Sequence, residues 1–462
     1  MISHAVLTAM MPEHLLLLGI VLLIAIEIAG HWQRAALAVA LVCVGAAALT
    51  ALNLSLSGYS TAPFAGQFSV DPATLLAKAM VLALALPVLL MSRNDFSDGE
   101  FPILLLSSLY GACLMQSADS FLTLFLGLEI MSLPVYVLVL LAYRRPQSAE
   151  AALKYLVLGG VASAMLLMGA SLLYGGTGSL ALSAFSKALA APDNMARAAV
   201  VLVILAFFLK AAIVPFHAWA PDAYEGASVP VTAYMATIVK AAVLLTAVRL
   251  FGQAVLASPM LELLAVLPLA SIVWGNLAAM KQLSLRRLIA YSSIAHAGYL
   301  FYALLGAAEG RLQAVTFYVL AYALMNLLAF ASLPASDDDS LRDRLDKLKG
   351  LFHRSPFAAL MIGIAMLSLA GLPPFPGFVA KFMIFRNVMA AGHTTYAVLG
   401  LVGSYLGIYF YLRVIQLMFM SPDAAAAPAG KSSRGLAMGA SLACLVAALL
   451  VAVFPGWMMA RL

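Results

Sequence analysis

Charge is scarce in this chain. Asp, Glu, Lys and Arg make up only 10% of its 462 residues, whereas 64% are hydrophobic. Soluble domains carry about 25% charged and about 45–50% apolar residues. A solvated globular fold is excluded, and the chain reads as an integral membrane protein. Cysteine is nearly absent too. Cys43, Cys113 and Cys444 stand in separate apolar runs, with no CxxC between any of them. That removes haem attachment, iron–sulfur and zinc-ribbon readings and leaves three small buried hydrophobes. No GxGxxG occurs. GGTGS at 175–179 follows a membrane run rather than a strand, so it reads as a turn and not as a nucleotide loop. The net charge of +6 is no nucleic-acid footprint, because the cations lie mostly in short loops, where they set topology. The first apolar run has neither a basic start nor a small-residue cleavage site, and it reads as a retained span.

What the chain does have is long apolar runs. A helix needs about 20 mostly apolar residues to cross a bilayer. Cutting at charges, prolines and polar clusters gives fourteen runs: 13–30, 35–53, 71–92, 101–117, 119–142, 149–174, 197–216, 228–250, 257–279, 285–306, 311–333, 355–386, 394–420 and 436–458. The fold class is an all-α polytopic membrane protein of about 14 transmembrane helices. Loops after odd-numbered runs hold about fourteen Lys and Arg, including Arg144, Arg145, Lys281, Arg286, Arg287, Lys431 and Arg434. The other loops and the two ends hold about six, Arg461 among them. By the positive-inside rule both termini lie on the outer, periplasmic side. The charged stretch SDDDSLRDRLDKLKG at 336–350 reads as a solvated cytoplasmic loop.

Runs four to eight and nine to thirteen form two sets of five. The fourth member of each carries a lysine beside a proline-interrupted stretch: Lys210 with Pro215, and Lys381 after GLPPFPGF at 371–378. Five is odd, so the two sets cross the membrane in opposite senses. Paired interruptions in two halves point to inverted repeats around a midplane ion site. The expected organisation is an N-terminal three-helix segment (1–100), two five-helix half-channels (101–250 and 251–420) and a C-terminal helix (421–462).

The intramembrane charges carry the functional signal. A charge at a helix centre costs about 2.5–3.5 kcal/mol even on lenient insertion scales. Glu129 lies near the middle of the fifth run and Lys240 near the middle of the eighth, while Lys210 and Lys381 adjoin the two breaks. Lys154 follows Glu150 by four residues, so the two pair along one helix face. His296 sits in AYSSIAHAGYL beside Tyr291, Ser292, Ser293 and Tyr299, which can order water. Glu27 and His217 read as interfacial. Lys78 and Arg413 are near enough to their span ends to snorkel. The chemistry suggested is proton relay. Burial disfavours a charged lysine and a nearby carboxylate favours it, so moving the carboxylate switches the amine between holding and releasing a proton. One charge moved against 100 mV costs about 2.3 kcal/mol. One pKa unit is about 1.36 kcal/mol, so a swing of roughly two units suffices.

FLGLEIMSLPVYVLV, PFHAWAPDAYEGASVPVTAYMATIVKA, RRLIAYSSIAHAGY and MLSLAGLPPFPGFVAKF, over about 100–415, resemble the antiporter-like membrane subunits of bacterial respiratory complex I. The resemblance is greatest to the N type of NADH-quinone oxidoreductase subunit. The L and M types and the multisubunit sodium/proton antiporters usually carry histidine around helices eight and eleven. Here VTAYMATIVK has none, and YALMNLLAF offers Asn326. The resemblance implies two inverted five-helix units with helices 7 and 12 broken. It places the family's proton-path residues on Glu129, Lys210, Lys240, Lys381 and Lys154. It implies that NADH, FMN, the iron–sulfur clusters and quinone are handled by other subunits, with no cofactor on this chain. It also implies a bacterial inner-membrane location beside an antiporter-like M-type subunit and small membrane subunits. The rival readings are a sodium/proton antiporter subunit, which would want more oxygen ligands than Glu129 supplies, and an inert structural spacer.

Overall fold

The computed structural model describes residues 4–30, 33–93, 96, 100–142, 145–190, 193–251, 258–334, 342–421 and 435–456. Arg144, Lys431, Arg434 and Arg461 lie outside them, as does the 336–341 part of the charged loop. Almost every described segment is helical. The bilayer offers the backbone no hydrogen-bond partners, so each crossing must satisfy its own amides.

Among the described residues the principal helices overlie the apolar runs, two of the runs being split into two helices each. They are α1 (Met11–Ala29), α2 (Gln33–Leu56), α3 (Pro72–Ser92), α4 (Glu100–Gln116), α5 (Phe121–Leu141), α6 (Pro146–Thr177), α7a (Asn194–Ala211) with α7b (Trp219–Gly226), α8 (Val229–Phe251), α9 (Ser258–Ala279), α10 (Leu285–Tyr302), α11 (Ala308–Ala331), α12a (Pro356–Ala370) with α12b (Pro376–Ala390), α13 (Thr394–Phe419) and α14 (Gly435–Val453). Among the described residues twelve helices are long and apolar enough to cross a membrane by themselves, while α4 and α12a are shorter apolar helices. Several starts are set by side-chain caps. Asp71 and Thr74 form a capping box on α3, and Ser120, Asp193 and Ser284 cap α5, α7a and α10. GGTGS is mostly the end of α6, which stops at Gly178 in the left-handed region.

α8, α10 and α11 are almost wholly surrounded by other helices, whereas α1 and α14 bury less than a third of their length. The centre of the bundle is therefore a protein interior, shielded from lipid. Close helix contacts need glycine in places. A Cβ on Gly111 of α4 would meet the Met131 backbone nitrogen of α5 at 2.2 Å, and one on Gly127 would meet that of Met115 at 2.6 Å.

Four features depart from expectation. A two-stranded antiparallel hairpin, β1 (Thr61–Phe64) and β2 (Phe68–Val70), stands between α2 and α3. Arg249 pins it, donating to Ser69, Asp119 and the carbonyls of Gln116 and Ala118. The seventh run does not end at the proline but resumes as α7b. The eighth contains one π-turn, Met235–Val239. The described part of the charged loop is not solvated throughout: Arg342, Asp343, Leu345 and Leu348 are buried, and Asp343 grips Arg286 at 2.8 Å.

Candidate functional site

Both broken helices end in the same way. In α7a, Ala212 adopts φ 62°, Ile213 N donates to Phe208 O at 2.8 Å and Ala212 N to Leu209 O at 3.2 Å. In α12a, Gly371 adopts φ 84°, Leu372 N donates to Leu367 O at 3.2 Å and Gly371 N to Ser368 O at 2.9 Å. These are Schellman closures, which turn the last carbonyls of a helix back on themselves. Pro215 and the Pro373–Pro374 pair then prevent the helix from continuing. The freed polar groups find partners in protein. Ser271 of α9 accepts from Val214 N at 2.8 Å, the Trp219 indole donates to Leu209 O at 2.9 Å, and the Ser368 hydroxyl accepts from Gly377 N at 3.1 Å.

A lysine serves each helix end. Lys210 is in the last turn of α7a, and the Lys381 ammonium donates to Ala370 O, the terminal carbonyl of α12a, at 3.0 Å. Helix C-termini carry partial negative charge, so both amines sit where a cation is favoured.

Around Lys210 the first cluster assembles. Its ammonium lies 3.6 Å from Glu129 Oε1 and donates to Ser132 Oγ at 3.2 Å and Tyr136 Oη at 3.3 Å. Ser163 of α6 donates to the same carboxylate oxygen. Lys210 is buried, whereas the Glu129 side chain retains 22% of its exposure, so the pair has a closed end and an open end. Tyr136 packs edge-on against Tyr155, which stacks on Trp219. Gly159 makes room for this: a Cβ there would lie 2.0 Å from the Tyr136 oxygen.

Lys240 stands midway along α8, immediately after the π-turn. Such turns insert one residue into a helix and are frequent at functional sites. Its ammonium donates to Ser293 O at 2.8 Å and also reaches Ser293 Oγ, while Tyr224 of α7b lies 3.4 Å from that hydroxyl. Among the described residues no carboxylate pairs with it. One residue earlier on α10, Ser292 meets Tyr411 Oη at 2.5 Å. Tyr411 in turn lies 3.2 Å from His296 Nε2, and Tyr318 Oη lies 2.8 Å from His296 Nδ1. His296 packs edge-on against Tyr299, whose ring carries the Lys381 ammonium 5.2 Å above its centre. Lys381 also donates to Ser404 Oγ at 3.0 Å. Between Lys240 and Lys381 lie buried hydroxyl, phenol and imidazole groups, Ser292, Ser293, His296 and Tyr299 on α10, Tyr318 on α11 and Tyr411 on α13.

Lys154 lies elsewhere. Its side chain is 44% exposed and its ammonium meets Glu150 and Asp222 at 2.7 Å each; Arg287 joins Asp222 at 3.0 Å and Glu225 at 2.8 Å. Asn326 is buried, with its amide donating to Tyr322 O. Glu27 is exposed on α1. The Trp274 indole donates to His217. Lys78 overturns its reading as a snorkelling residue. Its side chain is 0% exposed and its ammonium meets Glu13 Oε1, itself 0% exposed, at 2.5 Å. Glu13 falls in the first turn of α1, where nothing in the sequence marks it as enclosed. Ser163, Tyr136, Tyr318, Ser404 and Tyr411 were also missed, because neutral hydroxyls in apolar helices carry no signal of their own.

A helical membrane bundle with two interrupted crossings, and with buried lysines aligned between them, defines an antiporter-like ion-translocating subunit. The chain belongs to the NADH:quinone oxidoreductase/Mrp antiporter transmembrane family, whose match spans residues 118–407. It is 40% identical to NADH-quinone oxidoreductase subunit N of Pelobacter propionicus, over 89% of each chain. It is 39% identical to subunit N of Desulfovibrio desulfuricans, over 90% of this chain and 88% of that one. Among solved structures, a chain of respiratory complex I from Thermus thermophilus superposes with TM-score 0.84 at 35% identity, covering 97% of this chain and 98% of that one. A chain of the Mrp complex from Dietzia sp. shares the fold, with TM-score 0.83 at 21% identity and 98% and 96% coverage.

Proposed function

We propose that this chain is the N-type membrane-arm subunit of a bacterial NADH:quinone oxidoreductase and that it translocates protons along Glu129, Lys210, Lys240, His296 and Lys381. The observation that carries the reading is the placement of Lys240. A cation is buried at the middle of the most enclosed helix, and among the described residues its partner is Ser293 and no carboxylate pairs with it. An inert spacer has no use for such a group, whose burial costs several kcal/mol.

The first half-channel (101–250) loads Lys210. While Glu129 lies beside it, their attraction keeps the amine protonated. When the carboxylate moves away, desolvation drives the proton on. Lys240 receives it and the second half-channel (251–420) hands it through the hydroxyl, phenol and imidazole groups of α10, α11 and α13 to Lys381. Inverted repeats account for lysines at two breaks of opposite sense. Lys154, with Glu150 and Asp222, belongs to the approach to the first half. NADH oxidation, FMN, iron–sulfur clusters and quinone reduction belong to other subunits, among them an M-type neighbour and small membrane subunits. Both termini face the periplasm, as the loop cations imply. The chain's part in the enzyme is that of a translocase subunit with no redox centre of its own.

Purification through a tag on this chain tests the assignment. The expected result is a multisubunit assembly that oxidises NADH with quinone and acidifies the opposite compartment of proteoliposomes. Recovery of an assembly with sodium/proton exchange and no NADH oxidation would establish the antiporter reading instead.

A further inference from the structure

Among the described residues the polar groups between Lys240 and His296 fall into two hydrogen-bonded sets that no bond joins. One holds Lys240, Ser293 and Tyr224; the other holds Ser292, Tyr411, His296 and Tyr318. Two further side chains, Tyr322 and Asn326 of α11, lie beside both. The Tyr322 ring packs 4.7 Å from that of His296, and its hydroxyl approaches Ser293 and the side chain of Asn326, one turn further along α11. Tyr322 is 5% exposed and Asn326 0%. Yet among the described residues neither Tyr322 Oη nor Asn326 Oδ1 has a hydrogen-bond partner. The orientation of Asn326 is fixed. The Tyr322 carbonyl can only accept, so the amide nitrogen faces it, at 2.8 Å, and Oδ1 is the atom left over. Native proteins leave few buried polar atoms unpaired. Polar groups that approach without bonding are commonly joined by a buried water, which takes about two to four polar partners. Ser293 offers a third partner. Its oxygen accepts from Lys240, and its own proton has only Tyr224, 3.4 Å away, to turn to.

We propose that Tyr322 and Asn326 hold a water against Ser293 and that this water joins the two sets. Its role rests on the proton route proposed above. Ser293 takes a proton from Lys240 as it gives its own hydroxyl proton to the water. The water in turn gives one up toward Tyr411 and His296, so each oxygen ends with the protons it began with. Asn326 is a positioning residue: it exchanges no proton and fixes the water through Oδ1. Tyr322 shares that task through its hydroxyl, and its ring holds the His296 side of the link in place.

A density map of the intact complex, sharp enough to show ordered water, tests the site, and coupled NADH oxidation in proteoliposomes tests its use. The expected map shows a water within hydrogen-bonding distance of Asn326 Oδ1 and Tyr322 Oη, and the water is lost in Asn326→Leu, which removes the acceptor at similar volume. Asn326→Leu and Tyr322→Phe should each slow coupled turnover roughly fivefold, the rate equivalent of one hydrogen bond, at normal assembly. Should Asn326→Leu fail to assemble, Tyr322→Phe and the map of the parent decide the matter. A map that resolves waters elsewhere in the bundle but none here, or a direct Tyr322–Asn326 side-chain bond in its place, would overturn the proposal, as would normal turnover in either variant. Lys240→Ala measured alongside separates the two readings. Normal turnover there would remove the proton route itself, whereas a slow Lys240→Ala beside normal Asn326→Leu and Tyr322→Phe would remove only the water.

Discussion

Tyr136 shows how closely packing and chemistry are joined around Lys210. Its hydroxyl accepts from the ammonium at 3.3 Å, and Gly159 leaves only enough space for the phenol. Gly159→Ala should therefore displace the phenol, because a ring cannot yield as a flexible chain end does. Hydrogen bonds to charged groups contribute about 1.5–3 kcal/mol. Coupled proton transfer should thus fall by roughly tenfold, with assembly close to normal, as quenching of a pH-sensitive dye in proteoliposomes would register. Unchanged quenching would remove Tyr136 from the path. The residues that carry charge were legible in the sequence, since a lysine amid apolar neighbours stands out. Their hydroxyl partners were not: Tyr411 and Ser404 look like ordinary membrane-helix residues until the fold brings α13 against α10 and α12b.

The helix breaks set the positions of Lys210 and Lys381, and their left-handed caps make opposite predictions. Ala212 holds φ 62° against the preference of any residue with a Cβ. Ala212→Gly should relieve about 1 kcal/mol of strain and raise thermal stability with pumping retained. Gly371→Ala should do the reverse. It introduces the same strain and brings a Cβ to 2.9 Å from Lys381 Cδ, so it should lower both stability and pumping. Differential scanning fluorimetry beside dye quenching separates the two effects. A stabilising Gly371→Ala would contradict the cap assignment. The breaks themselves were readable from Pro215 and from GLPPFPGF. The short α7b was not, because eight residues containing Asp222 and Glu225 fall below any membrane-run threshold. The hairpin is pinned by Arg249 across long sequence separations, and neither it nor the π-turn in α8 is encoded by hydropathy.

Across the whole molecule, enclosure decides where charge can sit. The apolar runs placed the helices to within a few residues at most ends, the seventh excepted, yet hydropathy could not say which helices are central. Glu13 and Lys78 show the difference, being peripheral by sequence and fully enclosed in the fold. Removing one partner from a buried pair costs about 3–5 kcal/mol, whereas replacing both with apolar groups is close to neutral. Glu13→Gln or Lys78→Met should each lower the melting temperature and the yield of assembled complex, and Glu13→Leu/Lys78→Met should recover most of the loss. A double variant no better than the sum of the singles would show that the two side chains act independently.

The central claim is that Lys240 hands protons across the middle of the bundle, and the ratio of protons translocated to NADH oxidised measures it most directly. In proteoliposomes containing the intact complex, Lys240→Ala should lower that ratio or slow coupled NADH oxidation, and Lys240→Arg, an amine replaced by a group that keeps its proton, should do so equally. A normal ratio and a normal rate in both variants, at normal assembly, would contradict the account.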